Sequence, residues 1–128
     1  MAVKAYVEHV AIRVKDIHWH IRFFYEVLGM DVREIDGPAD APALMLSNSL
    51  GTNLHMWDPQ MPELSKRFRT IRYDSRGHGA SIADDGPYSI ASLSRDALSI
   101  MDELGLRQVN CLGLSLGGMV GQWLLSNA

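Results

Sequence analysis

From Asn110 to Gly118 the chain reads Asn-Cys-Leu-Gly-Leu-Ser-Leu-Gly-Gly, which sets Ser115 midway between Gly113 and Gly117. A serine flanked in this way suits a nucleophile elbow, a sharp strand-to-helix turn that lifts the hydroxyl above a sheet edge. Glycines two residues to either side leave space where side chains would collide with the turn, and Gly118 is expected to let the next helix approach the sheet. The backbone N–H of Leu116 would open that helix. Its partial positive end would face the point where an oxyanion forms during acyl transfer. In this design the acid and the histidine that activate the serine follow it in chain order, whereas Ala128 is the last residue of this sequence.

Two further stretches carry residues suited to a site. Leu44 to Thr52, Leu-Met-Leu-Ser-Asn-Ser-Leu-Gly-Thr, reads as a strand end followed by a loop of small residues. Tyr73 to Ser81, Tyr-Asp-Ser-Arg-Gly-His-Gly-Ala-Ser, reads as a strand followed by a turn punctuated by glycine. His55 and His78 fall near the same sheet edge, and a general base must come within hydrogen-bond reach of the serine. Loop packing and capping is the reading favoured for both. His18 and His20 flank Trp19 on an expected helix, where a two-residue separation points them to different faces.

Hydrophobic periodicity supplies the elements that would hold these residues. Val10, Ile12 and Val14 alternate with polar or small neighbours from Val7 to Val14, as in a half-buried strand. Asp16 caps a helix carrying Ile17, Ile21, Phe24 and Leu28, with Gly29 at its exit, and Met30 to Ile35 forms a second strand. Asp36 to Pro42 is crowded with turn formers. Beyond it the pattern predicts strands at Ala43 to Leu46, Phe68 to Tyr73 and Val109 to Leu112, and helices at Trp57 to Leu64 and Leu116 to Ser126. A longer helix between Ser89 as cap and Gly105 as exit carries Ile90, Leu93, Ala97, Ile100, Met101 and Leu104 on one face. This alternation specifies an α/β fold: three layers, a mostly parallel sheet of about five strands, and helices on both faces.

Composition narrows the function classes. With 47% hydrophobic and 21% charged residues and a net charge of -3, the chain has no basic footprint for nucleic acid. No stretch approaches the roughly 20 apolar residues that span a bilayer, and the N-terminus lacks the apolar run of a secretory signal, so a cytoplasmic protein is expected. The single cysteine, Cys111, excludes an internal disulfide and reads as a small hydrophobe inside a core strand.

From about Ile35 to Ala128 the three motifs, in this order, resemble the α/β-hydrolase family and within it the 3-oxoadipate enol-lactonases of aromatic catabolism. The resemblance rests on Ser47 to Thr52, His55 to Gln60, Tyr73 to Ser81 and Gly113 to Gln122. It implies hydrolysis of a small-molecule carboxylic ester or lactone without a cofactor. Ser115 would be the nucleophile, with the N–H groups of Leu50 and Leu116 as oxyanion hole, while the matching acid and histidine would lie beyond Ala128. Residues from about 5 to 37 resemble instead the opening βαβ of a vicinal oxygen chelate protein, in which a histidine at the His9 position often binds a metal. One histidine does not make a site that needs about three protein ligands, so no metal is expected. The expectation is one domain of two segments, 1–36 chelate-like and 37–128 from the first half of a hydrolase. Three functional readings stay open: a hydrolase weak or inactive alone; a non-catalytic chimera, natural or designed; and, against the ligand count, a metal-dependent vicinal oxygen chelate protein. An uncovered strand at Val109 to Leu112 would allow homo-oligomers through the sheet edge.

Overall fold

A computed structural model describes residues 33–81, 83 and 85–128. Eight elements follow in order: β1 (Arg33–Asp36), β2 (Ala43–Ser47), a 3-10 turn (Leu54–Trp57), α1 (Met61–Leu64), β3 (Arg69–Tyr73), α2 (Ile90–Glu103), β4 (Asn110–Gly113) and α3 (Leu116–Asn127). The expected strand at Val7 to Val14, the helix after it, His9, His18, His20 and nearly all of the chelate-like segment lie outside the described residues.

Four strands form one mixed sheet in the order β1-β3-β2-β4. β2 pairs parallel to β3, with Met45 opposite Ile71, and parallel to β4, with Met45 opposite Cys111. β1 runs antiparallel to β3, with Ile35 opposite Ile71. The mostly parallel three-layer architecture is thus present, with four strands among the described residues where about five were expected.

The period-two alternation of strand side chains assigns each residue to a layer. Ala43 and Met45 from β2 and Ile71 and Tyr73 from β3 meet Leu93, Ala97 and Ile100 of α2 and Val120 and Leu124 of α3. Leu44 and Leu46 point the other way, onto Trp57 and Met61. β2 is buried along its whole length, since it is central and covered on both faces. Fully burying one such side chain contributes about 2 kcal/mol.

Local signals account for most boundaries. Ser89 and Ser92 form a reciprocal capping box at the start of α2, and Gly105, at φ 66°, follows its last turn. The single helix expected from Trp57 to Leu64 is instead two short pieces. Asn53 caps the first through its side chain, which accepts the His55 N–H, and Pro62 sits in the first turn of the second. Proline cannot donate into a continuing helix, so the break falls between them.

Cys111 corrects an expectation. It is exposed, because β4 is the last strand of the sheet among the described residues and its outer edge is unpaired there. Its Cβ nevertheless faces Gly121 of α3, and partial burial raises the thiol pKa above its ordinary value. The residue's exposure comes from the edge that is open among the described residues, and its Cβ side packs toward α3. Leu112, Leu114 and Met119 add exposed apolar surface near that edge.

The opposite edge is held electrostatically. The Arg72 side chain, 7% exposed, donates to Glu34 and Asp36 of β1 and to Asp58 after the 3-10 turn. Its Nε has no partner among the described residues. This one guanidinium ties β1 to β3 and both to the layer beneath.

Candidate active site

Ser115 stands between β4 and α3 with φ 54° and ψ -114°, the sole non-glycine residue with positive φ among those described. An L-residue adopts this conformation at a cost of order 1–3 kcal/mol, and it persists only where the surroundings enforce it. Here they do. A Cβ on Gly113 would collide with the backbone of Gly117, and one on Gly117 would collide with the carbonyl of Ser47. The Leu114 N–H donates to that same Ser47 oxygen at 3.2 Å, and the Gly117 N–H closes the turn onto Leu114 O at 3.0 Å. Gly118 does not have the expected role, since a Cβ there would meet Gly113 O at an ordinary 3.6 Å. Close approach to the sheet belongs to Gly117.

The serine is exposed, and its hydroxyl makes no hydrogen bond to any described residue, nor does it cap α3. Leu116 is the first residue of that helix, so its N–H has no intrahelical acceptor. Twelve residues of helix place their positive end at this point.

Leu50 lies in the loop that leaves β2. Ser49 to Thr52 form a turn closed by the Thr52 N–H on Ser49 O at 3.3 Å, with Gly51 at φ 74° in its third position. A positive φ there defines a type II turn and requires glycine. The second residue of such a turn donates nothing within it, so the Leu50 N–H is left without an acceptor among the described residues. Leu50 is 69% exposed. The elbow abuts the root of this loop through Ser47 and Asn48, two residues before Leu50.

Neither candidate histidine hydrogen bonds to Ser115. His55 Nδ1 lies 3.2 Å from Asp58 Oδ2, and His78 Nδ1 lies 3.1 Å from the Arg76 carbonyl. Both serve their own loops. Among the described residues no group of three His, Cys, Asp or Glu side chains could hold a metal ion, and no helix is long and apolar enough to cross a membrane.

Two buried polar residues escaped the sequence reading. Asn48, 2% exposed, donates to the Tyr73 carbonyl at 2.8 Å and accepts from Trp57 Nε1 at 2.8 Å, anchoring the root of the Leu50 loop to β3 and to the 3-10 turn. Asp74, 4% exposed, accepts the N–H groups of Leu54 at 2.7 Å and Ala80 at 2.9 Å, joining the two loops at this sheet edge. The adjacent Arg76 forms a two-pronged ion pair with Asp96 of α2. A signal for Asp74 was available, because an aspartate directly after a strand and before a glycine-rich turn has loop N–H groups within reach.

Residues 42–128 match the family model described as alpha/beta hydrolase fold. The chain belongs to the α/β-hydrolase family. Among curated relatives of this family, 3-oxoadipate enol-lactonase 2 of Acinetobacter baylyi is 49% identical over 88 residues, covering 69% of this chain and 33% of that protein. Among solved structures, a hydrolase from Pseudomonas aeruginosa PA01 superposes with a TM-score of 0.74 at 55% identity, covering 75% of this chain and 36% of that one. The enol-lactonase from Burkholderia xenovorans LB400 gives 0.74 at 49% identity, covering 76% and 38%. The chain therefore spans about a third of the length of the hydrolases it resembles. Residues 42–128 form part of an α/β-hydrolase core.

Proposed function

We propose that the chain carries the nucleophile half of an enol-lactone or carboxylic ester hydrolase. The observation behind this reading is Ser115 itself: exposed, strained, its hydroxyl without a hydrogen-bond partner among the described residues, and set at the N-terminus of α3. Its Oγ would attack the carbonyl carbon while the N–H groups of Leu50 and Leu116 take the developing oxyanion. The carbonyl π bond opens, the tetrahedral intermediate collapses, and the alkoxide or enolate leaves, giving an acyl-serine. The lactone preference follows the two enol-lactonases that the chain resembles at 49% identity.

The hydroxyl proton must pass to a base, and because neither His55 nor His78 hydrogen bonds to Ser115, in this reading it passes to solvent water. Donors without a base still accelerate a reaction by roughly a thousandfold over water when the rest of a site is intact. In this reading the chain alone forms the acyl adduct slowly and hydrolyses it hardly at all, so lactone turnover stays near background.

The test is incubation with p-nitrophenyl acetate or an enol-lactone followed by peptide mass spectrometry. Acetylation or acylation at Ser115, lost in Ser115→Ala, is the expected result. Absence of an adduct at Ser115, or equal labelling of the variant elsewhere on the chain, would show instead that the elbow is kept as structure alone.

A further inference from the structure

The turn that carries Leu50 has an unusual anchor. The Ser49 N–H donates to Met56 Sδ at 3.3 Å, and Thr52 Oγ1 lies 3.1 Å from the same sulfur while donating to Ser49 O at 2.6 Å. One thioether thus meets both ends of the turn. A thioether sulfur is a weak acceptor, and a methionine under a loop ordinarily does no more than fill volume. Met56 does fill volume, packing against the layer of Leu44, Leu46, Trp57 and Met61. Its sulfur, however, is placed where backbone N–H groups usually find an oxygen.

We infer that Met56 is a positioning residue for the oxyanion loop, its sulfur fixing the Ser49–Thr52 turn so that the Leu50 N–H stays directed away from the turn and available to a substrate oxygen. Asn48 anchors the root of the loop, and no other acceptor among the described residues engages the Ser49 N–H. Without the sulfur contact the turn keeps only its internal bonds. It can then rotate as a unit about Asn48, carrying the Leu50 N–H with it. This inference rests on the reading of Leu50 as an oxyanion donor, but the contact itself can be tested separately.

The experiment compares the full chain with Met56→Leu, Met56→Gln and Thr52→Val. Leucine keeps the volume and removes the acceptor, so a packing role survives in that variant. Glutamine restores an acceptor as a carbonyl oxygen. Amide hydrogen exchange read by NMR should show Ser49 at least about tenfold less protected in Met56→Leu, with β2 and β3 amides unchanged, as for a local opening. Met56→Gln should recover Ser49 protection to within about twofold of the parent. Thr52→Val should loosen Thr52 while leaving the Ser49 N–H protected by the sulfur. Acylation of Ser115 by p-nitrophenyl acetate should slow in Met56→Leu and recover in Met56→Gln.

Unchanged Ser49 exchange in Met56→Leu, or equal loosening of every amide, would overturn the inference. Normal acylation in Met56→Leu despite a loosened Ser49 would overturn it as well. If the parent forms no adduct, the hydrolase reading fails while the exchange data still report whether the sulfur fixes the turn. If the parent forms an adduct and Met56→Leu is unaffected in both measurements, the positioning role fails alone.

Discussion

Gly117 lies against the carbonyl group of Ser47 in the space a side chain would occupy. The start of α3 and the end of β2 touch there through backbone alone. A methyl group at position 117 has to move one of two packed elements, and neither is a flexible side-chain tip. Gly117→Ala should therefore lower the unfolding free energy by about 3 kcal/mol. Gly118→Ala, one residue on, meets only an ordinary contact and should raise it by about 0.5 kcal/mol through better helix propensity. Urea unfolding of both variants checks the contrast, and equal effects would contradict the packing described.

Ser115 stores strain for the sake of its position. Ser115→Gly removes the Cβ that makes φ 54° unfavourable and should stabilise the fold by about 1 kcal/mol, after the added freedom of glycine in the unfolded chain is subtracted. Ser115→Ala keeps the strain and should change stability far less. A thermal melt in which the glycine variant gains nothing would mean that the turn is relaxed.

Arg72 and its carboxylates should respond unequally to mutation. The guanidinium is buried, whereas Glu34, Asp36 and Asp58 are each about half exposed. Neutralising all three as Gln, Asn and Asn strands a buried charge and should cost about 3–5 kcal/mol. Arg72→Met leaves carboxylates that water can solvate, and should cost about 1 kcal/mol. Denaturant titration of both variants reads the difference directly.

Partial burial pushes the Cys111 thiol above its ordinary pKa. Burial favours the neutral form, so the native alkylation rate with iodoacetamide should rise with pH along a curve displaced above that of the urea-unfolded chain. The sign for stability follows. Because the folded pKa exceeds the unfolded one, the thiol's contribution is fully present below the unfolded value and is lost as pH climbs through the folded value. Superimposable curves for native and unfolded chain would contradict the shielding.

The edge of β4 that is unpaired among the described residues should drive self-association. Leu112 is 39% exposed and Leu114 54%, beside open backbone donors and acceptors. Sedimentation should show a mass that rises with concentration, and Leu112→Lys should suppress the rise by placing a charge on the edge. A parent chain that stays monomeric at high concentration would argue that the edge is protected.

Legibility of the sequence depended on how local each signal was. The β3 strand, α2 with its Ser89 cap, β4 and the elbow were readable within a residue or two, because periodicity and capping are written in adjacent residues. β1 was expected at Met30 to Ile35, and its described part, Arg33–Asp36, ends one residue later, because this mostly exposed strand has no sharp apolar limit. The break at Pro62 was visible in the residues but outweighed by the apolar spacing of Trp57, Met61 and Leu64. Asn48 and Met56 were beyond reach for a different reason. Their roles are set by Tyr73 and by the Ser49 N–H, partners that become neighbours only when the loop folds back over the sheet.

The pairing of Leu44 with Asn110 and of Ser47 with Gly113 has a consequence for timing. All of β3 and α2 lies between these partners in sequence, so β4 can dock beside β2 only after a long loop has closed, an entropically late event. Until then nothing forces Ser115 out of an ordinary backbone conformation. The strained elbow geometry should thus be acquired late, and an incompletely folded chain presents Ser115 in an ordinary backbone conformation.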